Sequence, residues 1–217
     1  TINVASKNRL YTDWSSYRIP EPLNPGHHLI KEIDLKTLSE YIDWTFFFYA
    51  WKLSGKYPAI FNDPVKGHEA KKLFDDAQHY LNEIIKDKII RAKGVFGLFP
   101  AVSDGDDVIV LNTPRAPLEG GNKSQKTTLH FLRNQEKKER DVPNLSLADF
   151  IAPESSGQSD NIGLFVVTAD IDNEAINKYR EDDYATIMIR ILSDRLAEAA
   201  AEWLHEKARK EYWGYAT

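Results

Sequence analysis

Along residues 183–215 apolar side chains recur at the helical interval, with Tyr184, Ile187, Met188, Ile191 and Leu192 on one face. At about 100° per residue, Arg195, Glu198, Glu202, His205 and Arg209 continue the same line, so the apolar seam becomes a charged one. Leu196, Ala199, Ala200 and Trp203 carry the apolar contact round to the neighbouring side. The charged line suits either a solvated face or a cleft where carboxylates meet a cationic ligand or partner. A second helical pattern runs through LSEYIDWTFFFYAWKL (38–53). Thr37 and Glu40 have capping-box spacing, and Gly55 marks a stop. Leu38, Tyr41, Ile42, Phe46, Tyr49 and Leu53 form one face, and Trp44, Phe47 and Trp51 crowd the other. Asp43 then sits in an aromatic surround, where a carboxylate needs a cationic partner, backbone donors or a cationic ligand.

A third helix is signalled by Asp63 as N-cap and Pro64 in the first turn, running through Leu73, Ala77, Leu81 and Ile84 to Asp87. Then the period changes to that of strands. GVFGLFPAV (94–102), the turn at 103–107 and VIVLN (108–112) read as a hairpin. Residues 113–126 read as loop, TTLHFL (127–132) as a strand, and LADFIAP (147–153) as a short helix or turn stopped by Pro153. NIGLFVVTAD (161–170) is the clearest strand, and a short helix near 172–181 leads into the last one. Residues 1–33, with Pro20, Pro22 and Pro25, read as an extended N-terminal arm laid down by Tyr11, Trp14 and Tyr17. Helices at both ends with strands between predict an α+β fold, an antiparallel sheet flanked by helices with a long C-terminal helix, in one domain over 1–217.

Composition narrows the chemistry. Net charge is −5 with signs interspersed and no basic stripe, which argues against nucleic acid. No apolar run reaches membrane-spanning length. The chain has no cysteine, which excludes disulfides and thiolate chemistry and suits a reducing, cytoplasmic setting. Nucleophile-elbow, phosphate-loop and zinc-protease patterns are missing. Two metal arrangements have weak support: adjacent His27 and His28, which face apart, and Glu202–His205 facing Asp76–His79, where only one half is a true Glu-x-x-His.

Four blocks in order carry a family resemblance: YIDWTFFFYAWKLSGKYP (41–58), GLFPA (97–101), LADFIAP with SGQSDNIGLFVVT (147–168), and DRLAEAAAEWLHEKARKEYWGYA (194–216). They are similar to the activation domain of cobalamin-dependent methionine synthase, over most of the chain from about residue 10. The resemblance implies a module that presents S-adenosylmethionine to cob(II)alamin, regenerating methylcobalamin while an electron arrives from a flavodoxin-like donor. Cobalamin itself would be held by a neighbouring domain of the same enzyme. It also implies that Asp43, in YIDWT, and Glu198, in RLAEA, contact the ligand, whose sulfonium and ammonium suit carboxylates. No catalytic residue and no metal is implied. The family's Arg-Pro-Ala-Pro-Gly-Tyr-Pro segment lies downstream of YWGYA, and this sequence stops at Thr217. The expectation is a piece of a longer polypeptide that folds alone but binds S-adenosylmethionine weakly or not at all. A docking module that caps the cobalamin domain and receives an electron carrier is the alternative.

Overall fold

The computed structural model describes residues 2–113, 125–139 and 141–216. Its elements run α1 (Ile2–Lys7), β1 (Gly26–Ile33), α2 (Leu35–Ser39), α3 (Trp44–Ala50), α4 (Gly67–Asp87), β2 (Ile90–Asp104), β3 (Asp107–Thr113), β4 (Gln125–His130), β5 (Asp160–Ile171) and α5 (Asp183–Lys207). The strands make one antiparallel sheet in the order β1-β2-β3-β4, with β5 also pairing β2. The α+β architecture and the long C-terminal helix are as the periodicity predicts. The residues fall in two compact units: Thr1–His27, Gly97–Leu164 and Arg209–Thr217 in one, His28–Phe96 and Phe165–Ala208 in the other.

In the first unit the expected hairpin is present, with Ala101 opposite Val110 and Asp104 opposite Asp107. Ala101 and Val108 are fully buried and pack with Ala148. LADFIAP forms a 3-10 turn, Leu147–Phe150, closed by a capping box between Ser146 and Asp149. Of the loop expected at 113–126, residues 114–124 lie outside the described residues. The extended arm needs correction: residues 2–7 are helical and 26–33 form β1. Its middle does lie against the C-terminal aromatic cluster. The Leu23 and Asn24 amides donate to the carbonyls of Trp213 and Tyr212, and the Trp213 indole donates to the Pro20 carbonyl at 2.9 Å. Gly214, at φ +81°, permits this approach, because a Cβ there would lie 2.4 Å from Leu23 Cδ1.

In the second unit α4 and α5 pack together, with α2 and α3 against α5. The core is Leu38, Phe47, Phe48, Ala77, Leu81 and Ile84 against Met188, Ile189, Leu192, Leu196 and Ala200, with Ile33, Ile90 and Ala92 from the strands. The buried stripe of α5 is centred on 185, 188, 192, 196 and 199, so Tyr184 and Ile187 sit at its exposed margin. Truncating a fully buried leucine of this stripe would cost about 2–5 kcal/mol. The Ser193 hydroxyl donates to the Ala169 carbonyl at 2.7 Å and fixes α5 on β5.

Two helix starts differ from expectation. The 37–55 pattern is two short helices, because aspartates cap each: Asp34 accepts from Lys36 N and Thr37 N, and Asp43 from Thr45 N and Phe46 N. Thr37 therefore lies inside α2 rather than at its N-cap, and its hydroxyl donates to Asp34. The chain leaves α3 at Trp51, before Gly55. Asp63 caps the turn before α4 through Val65 N and Lys66 N, and α4 itself begins at Gly67. A side chain at Gly67 would place Cβ 2.5 Å from the Phe61 carbonyl oxygen, so only glycine fits that entry.

Candidate functional site

Asp43 and Glu198 both belong to the second unit. Asp43 is not in an aromatic interior. It is an exposed N-cap, while Trp44 beside it is buried edge-on against Phe47 and Phe74. Oδ1 of Asp43 accepts from Thr45 N at 2.8 Å and Phe46 N at 3.4 Å, which leaves Oδ2 for an external cation. Phe46 and Tyr49, on the same short helix, are half exposed.

Glu198 is exposed on the outer face of α5, and its two oxygens accept from the Arg195 guanidinium at 2.8 and 3.0 Å. Glu202 and His205 are exposed too, so the charged line faces outward. The Arg195 side chain is mostly buried, and its Nε has no acceptor among the described residues. A cation arriving at Glu198 shares the carboxylate with this guanidinium; in exposed surroundings the pair itself contributes little.

One bond bears on how the two carboxylates are placed. The Tyr41 hydroxyl, two residues before Asp43, donates to Glu206 Oε2 at 2.5 Å. That bond holds the Tyr41 phenol above its ordinary pKa, with burial adding to it. It pins the turn carrying Asp43 to α5 two helical turns beyond Glu198, about 12 Å along the axis. Glu198, Glu202 and Glu206 stand at four-residue intervals, so one acidic line runs from Glu198 to the pinned turn. Glu206 escaped the sequence reading because nothing in YIDWT marks its tyrosine as a partner.

Four hollows on this unit have other linings, and Asp43 and Glu198 line none of them. The most aromatic, about 440 Å³, lies between Trp51, Leu53, Leu73, Asp76 and Tyr184.

In the first unit the structure reveals a buried arginine, Arg133, that no pattern in the sequence singles out. All five N–H donors of Arg133 are used. Nη1 and Nη2 grip Asp149 at 2.6 Å each, Nε and Nη2 reach Asp106 at 3.0 and 2.8 Å, and Nη1 donates to the Asn144 carbonyl at 2.5 Å. Burial opposes ionisation of Asp149, but Arg133 and the Ser146 amide outweigh it and hold the carboxyl below its usual range. Asp106 is held low by the same contest between burial, Arg133 and Arg9. The Arg133 side chain is 1% exposed. This is a structural clamp closing the 131–149 loop, with no open side for a ligand.

Among the described residues no three His, Cys, Asp or Glu side chains come together as a metal site. His27 packs on Phe99 and His28 stacks on Phe96. Asp76 accepts from Tyr184, and His79 stands 4.0 Å from Glu83. No helix among them is long and apolar enough to cross a membrane.

The molecule is thus an α+β module with an exposed acidic line beside a helix N-terminus. Residues 34–217 match the family described as the vitamin B12 dependent methionine synthase, activation domain. The chain belongs to that family. It is also similar, at 42% identity and a TM-score of 0.86, to the MetH reactivation domain solved bound to AdoHcy. That match covers 100% of this chain and 65% of the other, so the chain spans just under two thirds of that relative.

Proposed function

We propose that this chain is the reductive-activation module of a cobalamin-dependent methionine synthase, presenting S-adenosylmethionine to cob(II)alamin so that methylcobalamin is regenerated. In this reading Asp43 and Glu198 are ligand-contacting residues. The observation that carries it is the Tyr41–Glu206 bond, which brings the Asp43 turn to the acidic line of α5. The donor set fits the group: a free carboxylate oxygen on Asp43 and exposed carboxylates on α5 match a ligand bearing an ammonium and a sulfonium. The AdoHcy of the related reactivation domain supports a ligand of the same adenosyl class.

When bound, S-adenosylmethionine supplies an electrophilic methyl group. The residues of this chain orient it: Asp43 from its capped turn, Glu198 from the helix, each lowering the energy of a positive centre without taking part in bond making. Partners in this reading are the cobalamin-binding domain of the same enzyme and a flavodoxin-like electron donor, in the cytoplasm.

Asp43→Asn in the full-length enzyme is the test, since asparagine keeps the N-cap and removes only the charge. Reactivation of oxidised enzyme, followed by the cobalamin spectrum, should fall while binding of the electron donor is unchanged. Preserved reactivation with lost donor binding would instead favour a docking module that caps the cobalamin domain.

A further inference from the structure

Apart from the acidic line, the second unit holds a row of oxidisable rings. Trp51 and Tyr184 have ring centroids 5.4 Å apart, Tyr184 and Tyr80 6.4 Å, and Tyr80 and Tyr179 6.0 Å. Both outer phenols donate to carboxylates: Tyr184 to Asp76 at 2.9 Å and Tyr179 to Glu83 at 2.5 Å. The Trp51 indole N–H is buried with no acceptor among the described residues, an exception in a folded protein that needs a reason. We propose that this row is a relay carrying a one-electron oxidising equivalent from Trp51 to Tyr184 and on, past Tyr80, to Tyr179.

The chemistry follows from the hydrogen bonds. A one-electron radical oxidant takes an electron from Trp51 and is itself reduced. With no base at its N–H, the indole stays a protonated cation radical, the more oxidising of its two forms. It regains an electron from Tyr184, whose O–H proton passes to Asp76, leaving neutral Trp51, a neutral phenoxyl and a protonated Asp76. Tyr184 then recovers its electron from Tyr179 and its proton from Asp76, while the Tyr179 proton passes to Glu83. Charge and atoms balance at each step. Among the described residues the Tyr80 hydroxyl has no proton acceptor in hydrogen-bond reach, so it serves as a bridging ring rather than a stopping point. Burial, and next the carboxylate partners, hold the Tyr184 and Tyr179 phenols above their ordinary pKa, so both carry the proton that each transfer needs. The inference stands apart from the methyl-donor reading.

Pulse radiolysis with the azide radical tests it. The protein should show an indolyl signal decaying in a first-order phase, independent of protein concentration, with a matching phenoxyl rise. Trp51→Phe and Tyr184→Phe, which leave an aromatic ring at each position, should each remove that phase. Asp76→Asn should slow it by about tenfold or more, the kinetic equivalent of losing one charge-assisted hydrogen bond, and deuterium oxide should slow it in the unsubstituted protein. Tyr179→Phe should leave the first phase and abolish the later migration seen by electron paramagnetic resonance. Thermal unfolding of each variant checks that the fold is kept. An unchanged fast phase in Tyr184→Phe, or no phenoxyl rise in the unsubstituted protein, would overturn the first step. A migration unaffected by Tyr179→Phe would overturn the second.

Discussion

Arg133→Met removes the cation from the buried clamp and leaves its anions in place. Asp149, with a side chain 6% exposed, keeps only the Ser146 amide at 3.0 Å, and the Asn144 carbonyl loses its 2.5 Å donor. Breaking a buried pair from one side leaves an uncompensated charge and costs about 3–5 kcal/mol. Asp106 adds little to this, since it is a third exposed and retains Arg9. With a urea slope of about 3 kcal/mol per molar for a chain of this size, the midpoint should fall by about 1–2 M. The pH dependence carries a distinct sign. In the native protein Asp149 and Asp106 have depressed pKa values, so their contribution is present above the unfolded aspartate value of about 3.9 and is lost as pH falls through the folded ones. In the variant, Asp149 loses its guanidinium partner and has only the Ser146 amide and the more distant Arg9 to set against burial, so its pKa rises and acidification relieves the strain. The stability gap between the two proteins should narrow as pH drops from neutral. Arg133→Met with Asp149→Leu should recover most of the loss, because no buried charge remains unpaired. Urea unfolding at several pH values, with hydrogen exchange over residues 125–150, measures all of this. A gap below about 1 kcal/mol at neutral pH, or one that widens in acid, would refute the reasoning.

Asp43→Ala should cost about 1 kcal/mol through the lost cap, a fall of about 2–4 °C in melting temperature, whereas Asp43→Asn should stay within a few tenths. Calorimetric scans of the two variants separate cap from charge. Lys88 ends α4 in the left-handed region at φ 51°. Lys88→Gly should relieve about 1–2 kcal/mol of backbone strain against an entropy cost of about 0.4–1, a net gain of about 0.5 kcal/mol readable as a raised urea midpoint.

The sequence exposed what depends on periodicity and hid what depends on partners. The α5 stripe, the 94–112 hairpin and the 161–170 strand are legible because burial repeats at the helical or strand interval. The break between α2 and α3 is not: an aromatic-rich run with helical spacing looks like one helix until the Asp43 side chain is seen to take Thr45 N and Phe46 N. That same bond moves Asp43 from a supposed interior to an exposed cap. Arg133 and Glu206 escaped for a related reason. A buried ion clamp and a tyrosine–carboxylate bond join residues 16 to 165 positions apart, and no local spacing announces them. The helical patterns around Asp43 and Glu198 left a cationic ligand as one of several readings, and the family resemblance is what assigned both residues to it.

Equilibrium binding of S-adenosylmethionine by the full-length enzyme, compared with its Asp43→Asn and Glu198→Gln variants by titration calorimetry, goes most directly to the role of the acidic line. Each substitution should weaken binding by about tenfold or more, the loss of one charge-assisted contact. Affinity unchanged in both variants would contradict the account.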